Sequence, residues 1–186
     1  NKRRHIVDSV TASAGSNLST TTVTLKGKNF FWGGASAVSA IKLDNTGDTE
    51  LYGYTVVSDT EITGAVITSG VQPGTYNVKV TTYAAANGTS AQKFRVTSLP
   101  PTVDRPDPDT ISSSSPSVIK IFGTGFFAGS VGVQVTSITL ADPAFTPLTG
   151  YTVVNDTEID NVIVPAGIAV GAWDVRVKTT AGNNTT

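Results

Sequence analysis

The chain has 186 residues, a formal net charge of −1, one histidine, and neither cysteine nor methionine. This balance offers no basic stripe to neutralise phosphates, so no nucleic-acid partner is expected. The absence of cysteine removes disulfides, thiol catalysis and Cys-ligated zinc, and no apolar run approaches the ~20 residues of a membrane span, so no direct membrane insertion is expected. Charged residues make up 15% of the chain, where about 25% is usual. Thr, Ser, Gly, Val and Ala take their place and favour strands and turns over amphipathic helices. A sequence without methionine reads as a processed product or an excised part of a longer protein.

In chain order, the basic cluster Lys2-Arg3-Arg4-His5 reads as a solvated tail or junction. Ile6–Val10 follows as a first strand, and Val23–Phe31 as a second with Val23 and Leu25 inward, Thr24 and Lys26 outward. Trp32 precedes Gly33-Gly34 and stands on a loop. Asp44–Glu50 is oxygen-rich but carries its glycine too early for a Ca²⁺ loop, and is expected to be a solvated hairpin. Tyr54–Ile62, Gly74–Val80 and Ala91–Val96 complete a set of short alternating strands separated by turn residues, the pattern of a β-sandwich.

The same blocks then return. Val23–Phe31 recurs as Ile119–Phe127 at an offset of 96; Tyr54–Ile62 recurs as Tyr151–Ile159, and Gly74–Val80 as Gly171–Val177, both at 97. Such duplication of short alternating strands predicts an all-β chain of two tandem sandwiches. The first covers residues 1–97 and the second 102–186, joined by the Pro-rich connector 98–101, whose Pro100-Pro101 favours a stiff, extended, rod-like link.

Gly27-Lys28-Asn29-Phe30 and Gly123-Thr124-Gly125-Phe126, the Val-x-Asp-Thr-x-Ile segments, and Gly-x-aromatic-x-Val-x-Val near each end together resemble the IPT/TIG family of immunoglobulin-like domains. The resemblance covers nearly the whole chain, twice, and implies the sandwich fold. Domains of this kind occur in bacterial surface proteins, in virion and phage structural proteins and in accessory domains of glucan-processing enzymes. They also occur in plexin-type receptors and in dimerisation regions of transcription factors, so the fold does not choose a function.

The second half departs from the first at its end. At an offset of 97, the counterparts of Phe94 and Val96 would be residues 191 and 193, beyond this sequence. The second sandwich is therefore expected to lack its last strand. Two such buried side chains contribute roughly 1.5–3 kcal/mol each, and an unpaired edge recruits another strand. Either the chain continues, or a neighbour donates the strand, or a truncated sandwich tolerates the loss; Ile6–Val10 is a candidate donor that its own sandwich needs.

Candidate chemistry is sparse, and no catalytic residue, enzyme activity or cofactor is expected. His5 lies away from any pocket-forming strand. Asp59 and Glu61, repeated as Asp156 and Glu158, fit an Asx turn opening the next strand better than a catalytic pair. Asp104, Asp107 and Asp109 are weak candidates for a Ca²⁺ site just past the connector, since the intervening prolines spread them apart. Phe30, Phe126, Tyr76 and Trp173 are expected in the core, whereas Phe31, Trp32, Tyr52 and Tyr83 are candidates for contact with a partner or a glycan. Lys–Asn isopeptide links are excluded because Lys26 and Lys120 face outward. Acceptor patterns for N-glycosylation start at Asn17, Asn87, Asn155, Asn183 and Asn184. The expected role is a structural or adhesive repeat module at a cell or virion surface, partnered by other copies of itself or by adjoining domains. A carbohydrate-binding accessory domain is the alternative.

Overall fold

The computed structural model describes residues 5–83 and 92–184. Contacts divide the chain into two compact units, Asn1–Thr97 and Ser98–Thr186. Both are built only of strands and turns among the described residues.

Unit 1 contains β1 (Ile6–Thr11), β2 (Ala14–Ser16), β3 (Thr21–Lys28), β4 (Phe31–Trp32), β5 (Ala35–Ser36) and β6 (Val38–Leu43). It continues with β7 (Thr55–Ser58), β8 (Glu61–Ile67), β9 (Gly74–Thr82) and β10 (Lys93–Thr97). One sheet has the order β1-β3-β8-β7 and the other β2-β10-β9-β6, with β4-β5 as a small hairpin. Two layers, antiparallel except where β2 lies parallel to β10, form an immunoglobulin-like sandwich. Ile6–Val10 is thus spent on pairing with β3 in its own unit.

The core follows from alternation. In β3, Val23, Leu25 and Gly27 are buried while Lys26 and Lys28 are exposed. These side chains meet Ile62 and Ala65 from β8 and Val78, Val80, Phe94 and Val96 from the facing sheet. Gly27 is required: a Cβ there would stand 2.0 Å from the Ile6 carbonyl oxygen, and one on Gly123 would stand 2.0 Å from that of Thr102. Only glycine lets the first strand approach so closely.

Unit 2 repeats the plan with β11 (Thr102–Asp107), β12 (Ser117–Thr124), β13 (Val135–Leu140), β14 (Pro147–Leu148) and β15 (Thr152–Asn155). It ends with β16 (Glu158–Val164), β17 (Val175–Thr179) and β18 (Gly182–Asn183). Its sheets are β11-β12-β16-β15 and β14-β13-β17-β18, around a core that includes Ile121, Phe126, Ile138, Ile159, Val162 and Val177. In both units the strand after the mid-chain hairpin crosses between layers. Glu50 bridges Lys42 in one sheet before Tyr52 bridges Val66 in the other, and β14 pairs with β13 before β15 pairs with β16.

Three expectations need correction. His5 is not part of a solvated tail: it is buried, and its Nε2 lies 2.8 Å from the Val80 carbonyl, tying the head of β1 to the opposite sheet. It occupies the place that the buried Pro101 takes ahead of β11, so the duplication extends one residue further forward than the alternating pattern reveals. Second, Trp32 does not stand on a loop: with Phe31 it forms β4, paired with β5. Third, the offset of 97 does not continue past β17. Residues Thr180-Ala181 turn tightly, and β18 pairs with Lys178 and Thr179 as a two-residue start of the closing strand. Beyond it, Asn184 Oδ1 accepts from the Val177 amide at 2.7 Å and Nδ2 donates to the Val175 carbonyl at 3.2 Å.

Candidate functional site

The duplicated polar residues bind the structure to itself. Asp59 accepts the amides of Phe31 at 3.0 Å and Asn29 at 3.3 Å. Asp156 accepts those of Phe127 at 2.7 Å and Gly125 at 3.4 Å. The main chain follows suit, with the amides of Gly27 and Phe30 donating to the carbonyls of Thr60 and Asp59, each at 3.0 Å. The Asx turn expected at the aspartates falls one residue earlier, where Ser58 Oγ and Asn155 Oδ1 accept the amides of Thr60 and Thr157. Gly-x-x-Phe and Asp-Thr-x-Ile are therefore two halves of one hydrogen-bonded corner. Their carboxylates are charge-assisted acceptors for backbone donors, which accounts for both aspartates structurally.

Glu158 and Asp160 both receive the Lys120 ammonium, at 2.9 and 3.0 Å. Hydrogen bonds donated by the ammonium to Glu158 and then to Asp160 hold Lys120 above the usual lysine range. The amine stays protonated and non-nucleophilic, consistent with the outward position that excluded an isopeptide link. Lys26 lies 4.0 Å from Glu61 in the corresponding place.

A second duplicated device was not apparent from the motifs. Asn45 Oδ1 accepts the Thr49 amide at 2.8 Å and its Nδ2 donates to Thr49 Oγ1 at 2.9 Å. In unit 2, Asp142 accepts the Thr146 amide at 2.7 Å and the Thr146 hydroxyl at 2.8 Å. The spacing was readable, but with an amide in one copy and an acid in the other only the threonines, Thr49 and Thr146, are identical. The Thr146 amide foremost holds the Asp142 carboxyl below the usual carboxylate range, against the opposing effect of burial. Asp44–Glu50 is thus a hairpin stapled from within, and Asp44 also accepts the Asn77 amide at 2.7 Å.

The weak Ca²⁺ candidates do not converge. Asp104 and Asp107 are exposed along β11 with Asp109 just beyond, and Asp107 lies 3.7 Å from Arg105. Among the described residues no three His, Cys, Asp or Glu side chains gather to hold a metal. An extended strand separates successive carboxylates. Of the glycosylation acceptors, Asn17 and Asn184 are buried; Asn155 and Asn183 are exposed, and Asn87 lies outside the described residues.

The aromatic candidates separate into two places. Phe31 and Trp32 form β4, and the Tyr83 amide donates to Ala37 O, so all three emerge where β3 and β9 end and β6 begins. Trp32 is 59% and Tyr83 83% exposed, while Phe31 is half-buried. Tyr52 bridges Val66 near the far end of β8 and does not join them. Tyr76 and Trp173 rest partly buried against their cores. Each returns its polar atom to the backbone four residues earlier: Tyr76 Oη to Gln72 O at 2.8 Å, Trp173 Nε1 to Ala169 O at 2.7 Å.

Unit 2 also contains a groove of about 380 Å³ between residues 106–113 and 164–175, floored by Ile119, Leu140, Val164 and Val175. In unit 1 the corresponding space is filled by β10, whose Phe94 and Val96 are buried. The consequence is measurable at matched positions. Val71 is 6% exposed but its counterpart Ile168 is only partly buried; Pro73 is buried but its counterpart Val170 is 90% exposed.

The fold is that of tandem immunoglobulin-like domains, and solved structures agree. A surface glycan-binding protein from Prevotella bryantii is similar at a TM-score of 0.60 and 16% identity, over 98% of this chain and 41% of that one. The Yersinia pseudotuberculosis adhesin InvE is similar at 0.55 and 16% identity, over 97% of this chain and 58% of that one. The chain therefore spans less than two thirds of each. No protein-family model matches it, and no curated protein matches it in sequence.

Proposed function

We propose that the chain is a non-catalytic adhesive and presenting module of an extracellular surface protein, appendage or filament, with IPT/TIG-type sandwiches as its repeats. The observation that carries this reading is that the duplicated polar residues, Asp59 and Asp156 foremost, are consumed in holding corners together. Outward apolar surface remains in two places, an aromatic loop end in unit 1 and a groove in unit 2 whose lining includes Asp109. The chain's likeness to an adhesin and to a surface glycan-binding protein supports the same reading. Assembly through the open side of unit 2 belongs to it. Measuring the mass of the native particle and imaging it tests the reading: oligomers, filaments or stable complexes with surface proteins are expected. A monodisperse chain that binds no partner would count against it.

A second reading has its own observation. Trp32 and Tyr83 are both exposed at one end of unit 1, and each ring offers an apolar face on which a sugar can stack. Titration of soluble glucans against the chain and its Trp32→Ala variant decides it: binding lost in the variant supports a carbohydrate-binding module, and no binding to either excludes one.

A further inference from the structure

We infer that Phe145 and Arg176, on the outer face of unit 2, form a binding site for an acidic glycan. The ring takes the apolar face of a sugar and the guanidinium takes its carboxylate. The site goes beyond the adhesive reading above and shares no residue with the Trp32 end of unit 1.

The two copies share one turn and fill it differently. Phe145 has φ 49° and its counterpart Asp48 has φ 45°. Their amides donate to the carbonyls of Asp142 and Asn45, both at 2.9 Å. The left-handed region accepts aspartate readily but strains a bulky side chain. Unit 2 nevertheless places a phenylalanine there, 57% exposed and outside its core. Both features lower stability. Within the unit the ring meets the Arg176 guanidinium, 5.4 Å from its centroid, a contact that is weak when exposed to water. The counterpart of Arg176 is Lys79, which lies 4.0 Å from Asp48. An ion pair in one copy is thus an aromatic ring and a guanidinium in the other. Nothing inside unit 2 offsets the strain and the exposure of Phe145, which points to a contact outside the chain.

The surrounding chemistry chooses the ligand. A ring on a hairpin offers a flat face without cavity walls. That suits a sugar ring better than a peptide side chain, whose anchoring needs an enclosed pocket. A planar guanidinium forks onto a carboxylate. Lys178 is exposed and follows on the same face of β17, about 7 Å further along the strand. Opposite Arg176 and Lys178 in β13 stand Thr139 and Ser137, which bring hydroxyls to that face. A chain of sugars carrying both hydroxyls and carboxylates meets complementary groups at each of these places. Asp174 is exposed at the other end of the row, so the carboxylate belongs between Arg176 and Lys178. The Arg176 side chain reaches Phe145 across β13, on the side of β17 away from β18. The contact between ring and guanidinium therefore does not depend on what pairs with the other edge of β17.

The test titrates the whole chain by calorimetry with hexamers of galacturonate and of mannuronate. Cellohexaose serves as the neutral control and a hexaglutamate peptide as the control for charge alone. Saturable binding of at least one uronate hexamer is expected, weakened severalfold when salt rises from about 50 mM to about 300 mM. Phe145→Asp, which restores the residue of unit 1, should weaken binding at least tenfold without lowering the melting temperature of unit 2. Arg176→Lys keeps the charge but removes the fork, and should weaken binding severalfold. Trp32→Ala should leave it unchanged. Binding of neither uronate, equal binding of cellohexaose or hexaglutamate, or indifference to Phe145→Asp would overturn the proposal. So would loss of binding in Trp32→Ala, which would move the site to unit 1. A lower melting temperature for Phe145→Asp would also overturn it, because the ring would then serve the fold. A chain that binds no uronate yet forms oligomers or filaments would defeat this site and leave the adhesive role standing.

Discussion

At the scale of single residues, the two units solve one problem with different chemistry. Asn45 and Asp142 both staple a hairpin to a threonine four residues on, but only the aspartate titrates. Its folded pKa lies below its unfolded value of about 3.9, so the stabilisation it gives is complete above that value. It is lost as pH falls toward the folded pKa. Asp142→Asn reproduces the unit 1 arrangement and should flatten the acid limb of unit 2 in melting curves taken as pH falls below about 4. An acid limb unchanged by the substitution would show that Asp142 is not its source. Asp156→Ala should cost unit 2 about 1–3 kcal/mol by stranding the amides of Gly125 and Phe127. Denaturant titration measures it, with Asp59→Ala expected to act alike in unit 1.

At the scale of elements, the decisive piece is β10. Phe94 is 1% exposed, and Phe94→Ala should destabilise unit 1 by about 3–5 kcal/mol while leaving the unfolding of unit 2 in place. Most strands were legible in the sequence because alternation and duplication both mark the same valines, isoleucines and phenylalanines: Val23 and Ile119, Phe30 and Phe126, Val80 and Val177. What the sequence hid were contacts between elements. Repetition showed that Gly-x-x-Phe and Asp-Thr-x-Ile are constrained, but not that they constrain each other, because the partners are some 30 residues apart. Neither could a repeat offset foresee a shorter turn before β18, nor a buried ring at His5 where the basic residues around it suggest solvent. The candidate aromatics fared unevenly for the same reason: Trp32 and Tyr83 share an end, while Tyr52, close in sequence to Tyr54, is carried away by the sheet-crossing strand.

At the scale of the molecule, two cores with separate residues imply two cooperative transitions. The lower should belong to unit 2, whose groove leaves Ile168 and Val170 wetter than Val71 and Pro73. In the Trp32→Phe background, Trp173 emission should follow the lower transition and not the upper. A fragment of residues 1–97 should melt where the upper transition lies. One shared transition in the full chain, or a fragment that does not fold, would show that the units depend on each other.

The parallel pairing of β2 with β10, Ala14 beside Arg95 and Ser16 beside Thr97, has a mechanical meaning. Tension applied to the two ends of unit 1 would drag these neighbours past each other along their length, so their hydrogen bonds would have to break together and not one after another. In a stretched single molecule unit 1 should therefore yield at a higher force than unit 2, where no such pair is found among the described residues. A tether that gives at one repeat while the next holds can lengthen under load without parting.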